Sequence, residues 1–284
     1  MDSSRLMDIL PVIASKQKFR LGVLEKDYYL TLILNEVYQH LSDRLIFKGG
    51  TLLNKIYLDH HRLSEDLDFT LHAPNEIGTR GQRSKAIEPI RKKMPEFITL
   101  VGLQSEDPRG KGFNNSTEYV FLLNYHSYVT NSTQSIKLEI GLRQQPLEPA
   151  EMNTIKHFYQ DPFTNEDLLP MGKIPSLSYR EAVAEKMKAA INREKVAIRD
   201  YYDLWALYQK GFKFSEKKFI ELFQKKLSDE GYAGDPHNNF GLSEEKIAAL
   251  RKQIDTDLMP VLRITDNFDL DEVFKVFNKI LAAI

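Results

Sequence analysis

The chain has 284 residues, 42% of them hydrophobic and 28% charged, which excludes a disordered chain and allows one large domain or two of ordinary size. Its formal net charge is −1, which excludes a protein that binds nucleic acid through bulk positive charge and leaves only local contacts to RNA. The absence of cysteine excludes disulfide bonds and metal sites with thiolate ligands.

Residues 4–41 are predicted to form two helices, and the sequence predicts neither a membrane span nor a signal peptide. No apolar run in the chain reaches the roughly 18 residues that cross a bilayer, and the first residues lack the layout of a signal peptide. We therefore expect a cytoplasmic protein without a membrane partner. Apolar residues recur every three to four positions from Leu24 to Val37, which predicts the second helix. We expect Lys26 and Asp27 on its exposed face.

The stretch that follows combines a buried strand, a glycine turn and a short helix. The apolar run after Arg44 predicts a strand that ends at Lys48. Gly49 and Gly50 then allow a sharp turn and leave no side chain in the way of a ligand. A helix that begins at Thr51 presents free N–H groups and a partial positive charge, which suits a phosphate. Lys48 would contact the same phosphate if it points into the cleft.

Two acids begin the next strand, which is predicted over residues 66–70. Period-two alternation places Asp66 and Asp68 on one face of this strand. Adjacent carboxylates repel each other unless a cation lies between them, and hard oxygen ligands of this kind suit Mg²⁺ or Mn²⁺. The sequence therefore predicts a metal site opposite a phosphate cradle.

A basic helix over residues 80–93 and a β-meander are predicted next. The basic face is either an ordinary solvent-exposed surface or a patch that follows the phosphates of an RNA acceptor. Its members are Arg80, Arg83, Lys85, Arg91, Lys92 and Lys93. The strands of the meander are predicted at residues 97–103, 119–129 and 136–142.

Residues 143–177 hold five of the twelve prolines, which predicts a crossover segment without helices or interior strands. We place the domain boundary in this segment, with domains of residues 1–170 and 171–284. From Ser178 the pattern is helical, and Ser178 to Glu181 has the form of a capping box. Later helices are predicted at 197–210, 215–229, 243–258 and 269–284. The breaks between the second and third of these are predicted at Gly231, Gly234 and Pro236.

Gly49-Gly50-Thr51, a short helix and Asp66-x-Asp68 together resemble the signature of the polymerase-β-like nucleotidyltransferases. The fuller string, FKGGT followed by R-x-SEDLDF, resembles the AbiEii-type toxins of bacterial abortive-infection and toxin–antitoxin systems. The pattern EK followed by RDxxDLW near residue 200 is similar to the same family. The resemblance implies an α+β fold, in which a mixed sheet flanked by helices is followed by a C-terminal helical bundle that completes the active-site cleft.

The resemblance also implies roles for residues outside the central motif. It makes Glu139 the third metal-binding carboxylate beside the two aspartates, whereas the alternative is a cross-strand partner for a Lys or Arg. It adds Lys186, which would close over the triphosphate, and Asp200, which would orient Lys186 or the nucleotide. For Arg199 and Asp203 we favour a plain i,i+4 ion pair.

The implied reaction is transfer of a nucleoside monophosphate from NTP to an RNA acceptor such as a tRNA 3′ end, with a cognate antitoxin as protein partner. Two alternatives stay open: nucleotidylation of a protein hydroxyl, and an NTP-binding regulatory module without transfer activity. Intact Asp66, Asp68 and Glu139 argue against the regulatory module, because a site that only binds could lose one of these acids.

Overall fold

The computed structural model describes residues 3–193, 195–229 and 243–284. The chain divides into two compact units, Met1–Leu177 and Ser178–Ile284. Residues 171–177, which the sequence assigned to the second domain, fall in the first unit because they contribute a strand to its sheet. The breaks expected at Gly231, Gly234 and Pro236 lie outside the described residues. None of the described helices combines the length and apolar content needed to span a membrane.

The first unit begins with two helices, continues with two strands that are each followed by a helix, and ends with five successive strands. Its helices are α1 (Ser3–Gln17), α2 (Leu21–Glu36), α3 (Gly49–Leu52) and α4 (Arg80–Leu100). Its strands are β1 (Leu45–Lys48), β2 (Asp66–Leu71), β3 (Lys111–Phe113), β4 (Glu118–Ser127), β5 (Ser132–Gly141), β6 (Glu151–Thr154) and β7 (Lys173–Ser176). Single π-helical turns, Val37–Leu41 and Leu53–Tyr57, extend α2 and α3.

The strands form one mixed sheet in the order β3-β4-β5-β2-β1-β7-β6. The pairs β1–β7 and β2–β5 are parallel, and the other neighbouring pairs are antiparallel. Leu67 and Phe69 of β2 are buried, as are Leu138 and Ile140 of β5, so one face of the central strands lies in the core. The intervening residues of β2 and β5 lie on the opposite face. The expected mixed sheet flanked by helices is confirmed.

Buried polar groups connect α2 to the helical turn after α3. Asp27 was predicted to be exposed, but it is only 1% exposed. Lys55 Nζ donates to Asp27 Oδ2 and to Thr31 Oγ1, both at 2.8 Å, and the Tyr159 hydroxyl donates to Asp27 Oδ2 at 2.8 Å. Burial lowers the pKa of Lys55, and the Asp27 carboxylate opposes this effect. The prediction for Asp27 is wrong because α2 is buried on most of its sides.

The strand predicted at residues 97–103 is wrong, because α4 continues to Leu100. The apolar residues there are spaced for a helix whose inner face begins at Ile87. Ile90, Met94, Phe97 and Ile98 are all buried along that face. Burial of a continuous helical face therefore outweighs the β-propensity of the run after Glu96.

The proline-rich stretch holds β6 and β7, so the prediction that it contains no interior strand is wrong. β7 pairs with β1 through Phe47 and Ser176, and the Leu177 N–H donates to the Phe47 carbonyl at 3.0 Å. Pro175 is tolerated because these contacts to β1 lie after it in the chain, where N–H groups are available.

The second unit is helical in its described residues, as the sequence predicts. Its helices are α5 (Tyr179–Asn192), α6 (Ile198–Gln209), α7 (Lys217–Ser228), α8 (Glu244–Gln253) and α9 (Leu270–Ala283). The Ser178 side chain caps α5 by accepting a hydrogen bond from the Glu181 N–H at 3.1 Å, as its capping-box sequence predicts.

Candidate active site

Three charged side chains lie side by side on the face of the sheet opposite the core, which we call the open face. Lys48 at the end of β1 pairs with Asp68 of β2, and Asp68 pairs with Glu139 of β5. Asp66 lies two residues before Asp68 on the same face, opposite Lys137 of β5. Sequence reasoning placed the two aspartates on one face, and the strand register adds Glu139 and Lys48 to them.

The glycine turn fits closely against this row of acids. Gly49 has a φ of +78°, and a Cβ built on it would lie 2.1 Å from Asp68 Oδ2. Only glycine can therefore bring the backbone this close to the carboxylate. The Thr51 hydroxyl is buried and donates to the Asp66 carbonyl at 2.5 Å, which fixes the turn to β2.

Gly49, Gly50 and Thr51 form the first turn of α3, where backbone N–H groups have no partner within the helix. The Lys48 ammonium lies beside the backbone of β5, because a Cβ built on Gly141 would be 3.9 Å from Lys48 Nζ. The predicted cradle residues are thus gathered at one end of β1.

An open cavity of about 450 Å³ adjoins the row of charges. Its polar lining includes Lys48, Asp68, Asn114, Glu118, Glu139 and Arg143. The cavity therefore combines carboxylates with two cationic side chains. This combination suits a ligand that carries phosphates on one side and meets acids on the other.

Burial and mutual repulsion weaken the acidity of the two aspartates. The pKa of Asp68 is raised to about 6, mainly by burial. Lys48 opposes this rise, and the charges of Glu139 and Asp66 contribute to it. Burial also raises the pKa of Asp66, with Lys137 as the main opposing charge. The acids therefore form a site that gains from an added cation.

Sequence reasoning missed Glu118, a fourth carboxylate at the start of β4. Its hydrogen bond with Glu139 raises the pKa of Glu118. Burial raises the pKa of Glu139, but the hydrogen bonds from Glu118 and Lys137 outweigh it and lower that pKa. The signal that could have found it is the register of the β4–β5 hairpin, which pairs Glu118 with Gly141, next to Glu139 on the open face.

Within the described ranges, no three His, Asp or Glu side chains converge at metal-binding distance. Instead, Lys137 Nζ lies 2.6 Å from Glu139 Oε2 and supplies the positive charge. The oxygen donors of Asp66, Asp68 and Glu139 nevertheless suit Mg²⁺ or Mn²⁺, and they lie on one face of two paired strands. The three residues therefore have the donor atoms that such an ion prefers. A bound ion would replace Lys137 as the positively charged partner of Glu139.

The predicted residues Lys186 and Asp200 belong to the second unit, whereas the row of acids belongs to the first. Lys186 Nζ lies 2.8 Å from Asp200 Oδ1 and 2.9 Å from Asp203 Oδ2. Asp203, which the sequence paired with Arg199, is therefore a buried partner of Lys186. Arg199 Nε donates to the Asp257 carbonyl at 2.6 Å.

The basic face of α4 has two kinds of members. Arg83 donates to the Asn115 carbonyl at 3.0 Å, and Arg91 donates to the Arg109 carbonyl at 2.9 Å, so both hold loops in place. The remaining members are exposed: Arg80, Lys85, Lys92 and Lys93. Only these four members of the basic face are exposed.

Comparisons with known proteins agree with this architecture. MenT4, a nucleotidyltransferase toxin from Mycobacterium tuberculosis, superimposes with a TM-score of 0.54 at 18% identity over 93% of this chain and 92% of that chain. JHP933 from Helicobacter pylori superimposes with a TM-score of 0.51 at 14% identity over 93% of each chain. At these identities the likeness shows a shared fold. No curated protein matches the sequence.

A family model described as the nucleotidyl transferase AbiEii toxin of a type IV toxin–antitoxin system matches residues 32–276. The match covers most of the chain and contains both the glycine turn and the row of acids. The resemblance drawn from the motifs is thereby confirmed. The chain therefore belongs to the AbiEii family of nucleotidyltransferase toxins.

Proposed function

We propose that this protein transfers a nucleoside monophosphate from an NTP to a hydroxyl of an RNA acceptor, such as a tRNA 3′ end, with Mg²⁺ or Mn²⁺ as cofactor. The observation that carries the proposal is the row of Lys48, Asp68 and Glu139 across three adjacent strands. The Gly49 turn supports it, because this turn brings the backbone of the proposed phosphate cradle close to the Asp68 carboxylate.

In this reaction the acceptor oxygen forms a bond to the α-phosphorus, and the bond from that phosphorus to the β-phosphate bridging oxygen breaks. Pyrophosphate leaves, and the hydroxyl proton passes to Asp66 or Glu139. A metal ion held by Asp66, Asp68 and Glu139 would stabilise the charge on the entering and leaving oxygens.

The chain's own residues would bind and orient the triphosphate. The N–H groups from Gly49 to Thr51 and the Lys48 ammonium would hold phosphate oxygens. Arg143 lines the same cavity and adds positive charge. We also assign Lys186 to the reaction, where it would offset the charge of departing pyrophosphate. Asp200 would orient Lys186, which it contacts at 2.8 Å.

The RNA acceptor is supported by the exposed basic residues of α4, which would contact phosphates locally even though the net charge of the chain is −1. We propose that the reaction takes place in the cytoplasm, because its substrates would be an NTP and an RNA such as tRNA. The family's type IV toxin–antitoxin description supports a cognate antitoxin as partner.

The test is to incubate the protein with each α-labelled NTP, Mg²⁺ and either total RNA or cell lysate. We expect label in the tRNA band, and loss of that label when the metal is removed by chelation. Label in protein would replace the RNA acceptor by a protein hydroxyl. Tight NTP binding without label transfer to either acceptor would contradict the proposal and favour a regulatory module.

A further inference from the structure

A second, larger cavity lies in the first unit between α2, the end of α4 and the β4–β5 hairpin. Its volume is about 690 Å³, which is in the range of small-molecule sites. The side chains that distinguish it are Tyr28, Tyr29, Glu36, Tyr125, His126 and Tyr128. Its lining contains no lysine and no arginine among the described residues, in contrast to the cavity beside the acids.

The tyrosines form a continuous aromatic wall. The Tyr29 and Tyr125 rings lie 4.2 Å apart between centroids, with an angle of 31° between their planes. Tyr28 meets Tyr29 edge-on at 5.5 Å. Throughout the ranges that the structure describes, the hydroxyls of Tyr28, Tyr29, Tyr125 and Tyr128 take part in no hydrogen bond with the protein. These hydroxyls are therefore available to a ligand.

The charges around the cavity are negative. Glu36 lines it, and one of the Glu36 oxygens lies 3.2 Å from His40 Nε2. Glu25 is buried behind the tyrosines and accepts hydrogen bonds from the Ser127 hydroxyl at 2.5 Å and the Tyr128 N–H at 2.8 Å. Burial, followed by the charge of Glu25, raises the pKa of Tyr29 to about 12, so its hydroxyl stays protonated.

An aromatic wall combined with a carboxylate repels a phosphate and attracts a positive charge. The faces of tyrosine rings carry negative potential, so they attract a cation, most strongly where water is excluded. A nucleoside triphosphate or an RNA backbone would find no cationic partner among these lining residues. The cavity thus differs in ligand class from the proposed active site.

We propose that this cavity binds an organic cation, an alkylammonium or guanidinium group, whose charge lies against Tyr29 and Tyr125 and pairs with Glu36. The same chemistry is offered by a free polyamine and by a lysine or arginine side chain of a protein partner. The site is independent of nucleotidyl transfer, since it shares no residue with the row of acids.

The test is calorimetric titration of the full chain with spermidine, as a free polyamine, and with N-acetyl-arginine N-methylamide, as a protein side-chain mimic. The matched neutral compound is N-acetyl-citrulline N-methylamide, which has the shape of the arginine mimic without its charge. We expect saturable binding of at least one cation and at least tenfold weaker binding of the citrulline compound. Tighter binding of the arginine mimic than of spermidine identifies a protein side chain as the ligand, and the reverse order identifies a polyamine.

Two variants of lining residues and one control test whether the cation binds in this cavity. Glu36→Gln removes the charge with little change in shape, and Tyr29→Leu removes a ring, so each should weaken cation binding about three- to thirtyfold. Glu76→Gln removes an exposed carboxylate elsewhere in the same unit and should leave the affinity unchanged. The proposal is overturned if neither cation binds or if Glu36→Gln binds as tightly as the unaltered chain. If Tyr29→Leu does not fold, Glu36→Gln alone decides.

Discussion

Gly49 determines how closely the backbone after β1 approaches the acids of β2. It combines a left-handed backbone, with φ of +78°, and a position at which any Cβ would collide with Asp68. Gly102, after α4, has a similar φ of +69° but no atom within 4 Å of its Cβ position. Backbone strain is therefore common to alanine variants of both glycines, whereas a collision with Asp68 occurs only at Gly49.

We expect Gly49→Ala to abolish label transfer and to destabilise the protein by more than Gly102→Ala. Both substitutions carry the left-handed cost of about 1–2 kcal/mol, but only the first displaces Asp68. The measurements are label transfer and denaturant unfolding of both variants. Equal effects of the two alanines on activity would contradict the close approach that the glycine turn makes to Asp68.

At this scale, motif reading found Asp66, Asp68, Glu139, Lys48 and the glycines. Alternation along one strand and a known signature are local information. Arg143 and Glu118 carry no local signature, because they join the site only through the folding of other strands and loops against it. The ion pair between Lys137 and Glu139 also escaped prediction, although both lie on one strand face two residues apart.

Among the elements, α2 is fixed to the turn after α3 by one buried ion pair. Lys55 is fully buried and Asp27 almost so, and Thr31 and Tyr159 complete the hydrogen bonds. Because this turn extends α3, which begins at Gly49, the ion pair supports the geometry of the proposed phosphate cradle.

We expect Asp27→Asn and Lys55→Met each to destabilise the fold by about 3–5 kcal/mol, because each leaves a buried partner without its counter-charge. The double variant should be less unstable than the sum of the two single variants. Lys156→Met, which breaks an exposed pair with Asp59, should cost about 0–1 kcal/mol. The free energy of unfolding of all four variants is measured with urea. If the double variant loses the sum of the losses in Asp27→Asn and Lys55→Met, the two residues do not act as a pair.

Helices and strands were predicted well where the hydrophobic periodicity was strong. They were predicted poorly where most sides of the helix are buried. The helices of the second unit and strands β1, β2 and β5 follow clear patterns, and they occur close to the expected bounds. The end of α4 has strand-like residues on a buried helical face, and α2 has few exposed positions. In both cases tertiary packing, which is not visible in local spacing, determines the outcome.

For the whole molecule, the division after Leu177 follows from the sheet. β7 lies between β1 and β6, so a boundary drawn at residue 170 would remove a strand from the interior of the sheet. The proline count signalled irregular chain but could not reveal the partner of β7, which is more than 120 residues earlier in the sequence.

We expect a fragment of residues 1–177 to be soluble and to melt cooperatively. A fragment of residues 1–170 should aggregate, because it lacks β7 and leaves the β1 edge unpaired. Circular dichroism melting and size-exclusion chromatography of both fragments provide the comparison. Identical behaviour of the two would mean that β7 is dispensable to the first unit.

The acids on the open face of the sheet are the centre of the account, and Asp68→Asn tests them most directly because it removes one charge at nearly constant shape. In the labelled-NTP assay we predict a loss of transfer of at least about 100-fold with an unchanged circular dichroism spectrum, because losing even an outer partner of a metal ligand costs about 10–100-fold and Asp68 is proposed as a ligand itself. Glu151→Gln, an exposed acid on β6, should retain full transfer. Transfer by a folded Asp68→Asn protein at the rate of the unaltered chain would contradict the account.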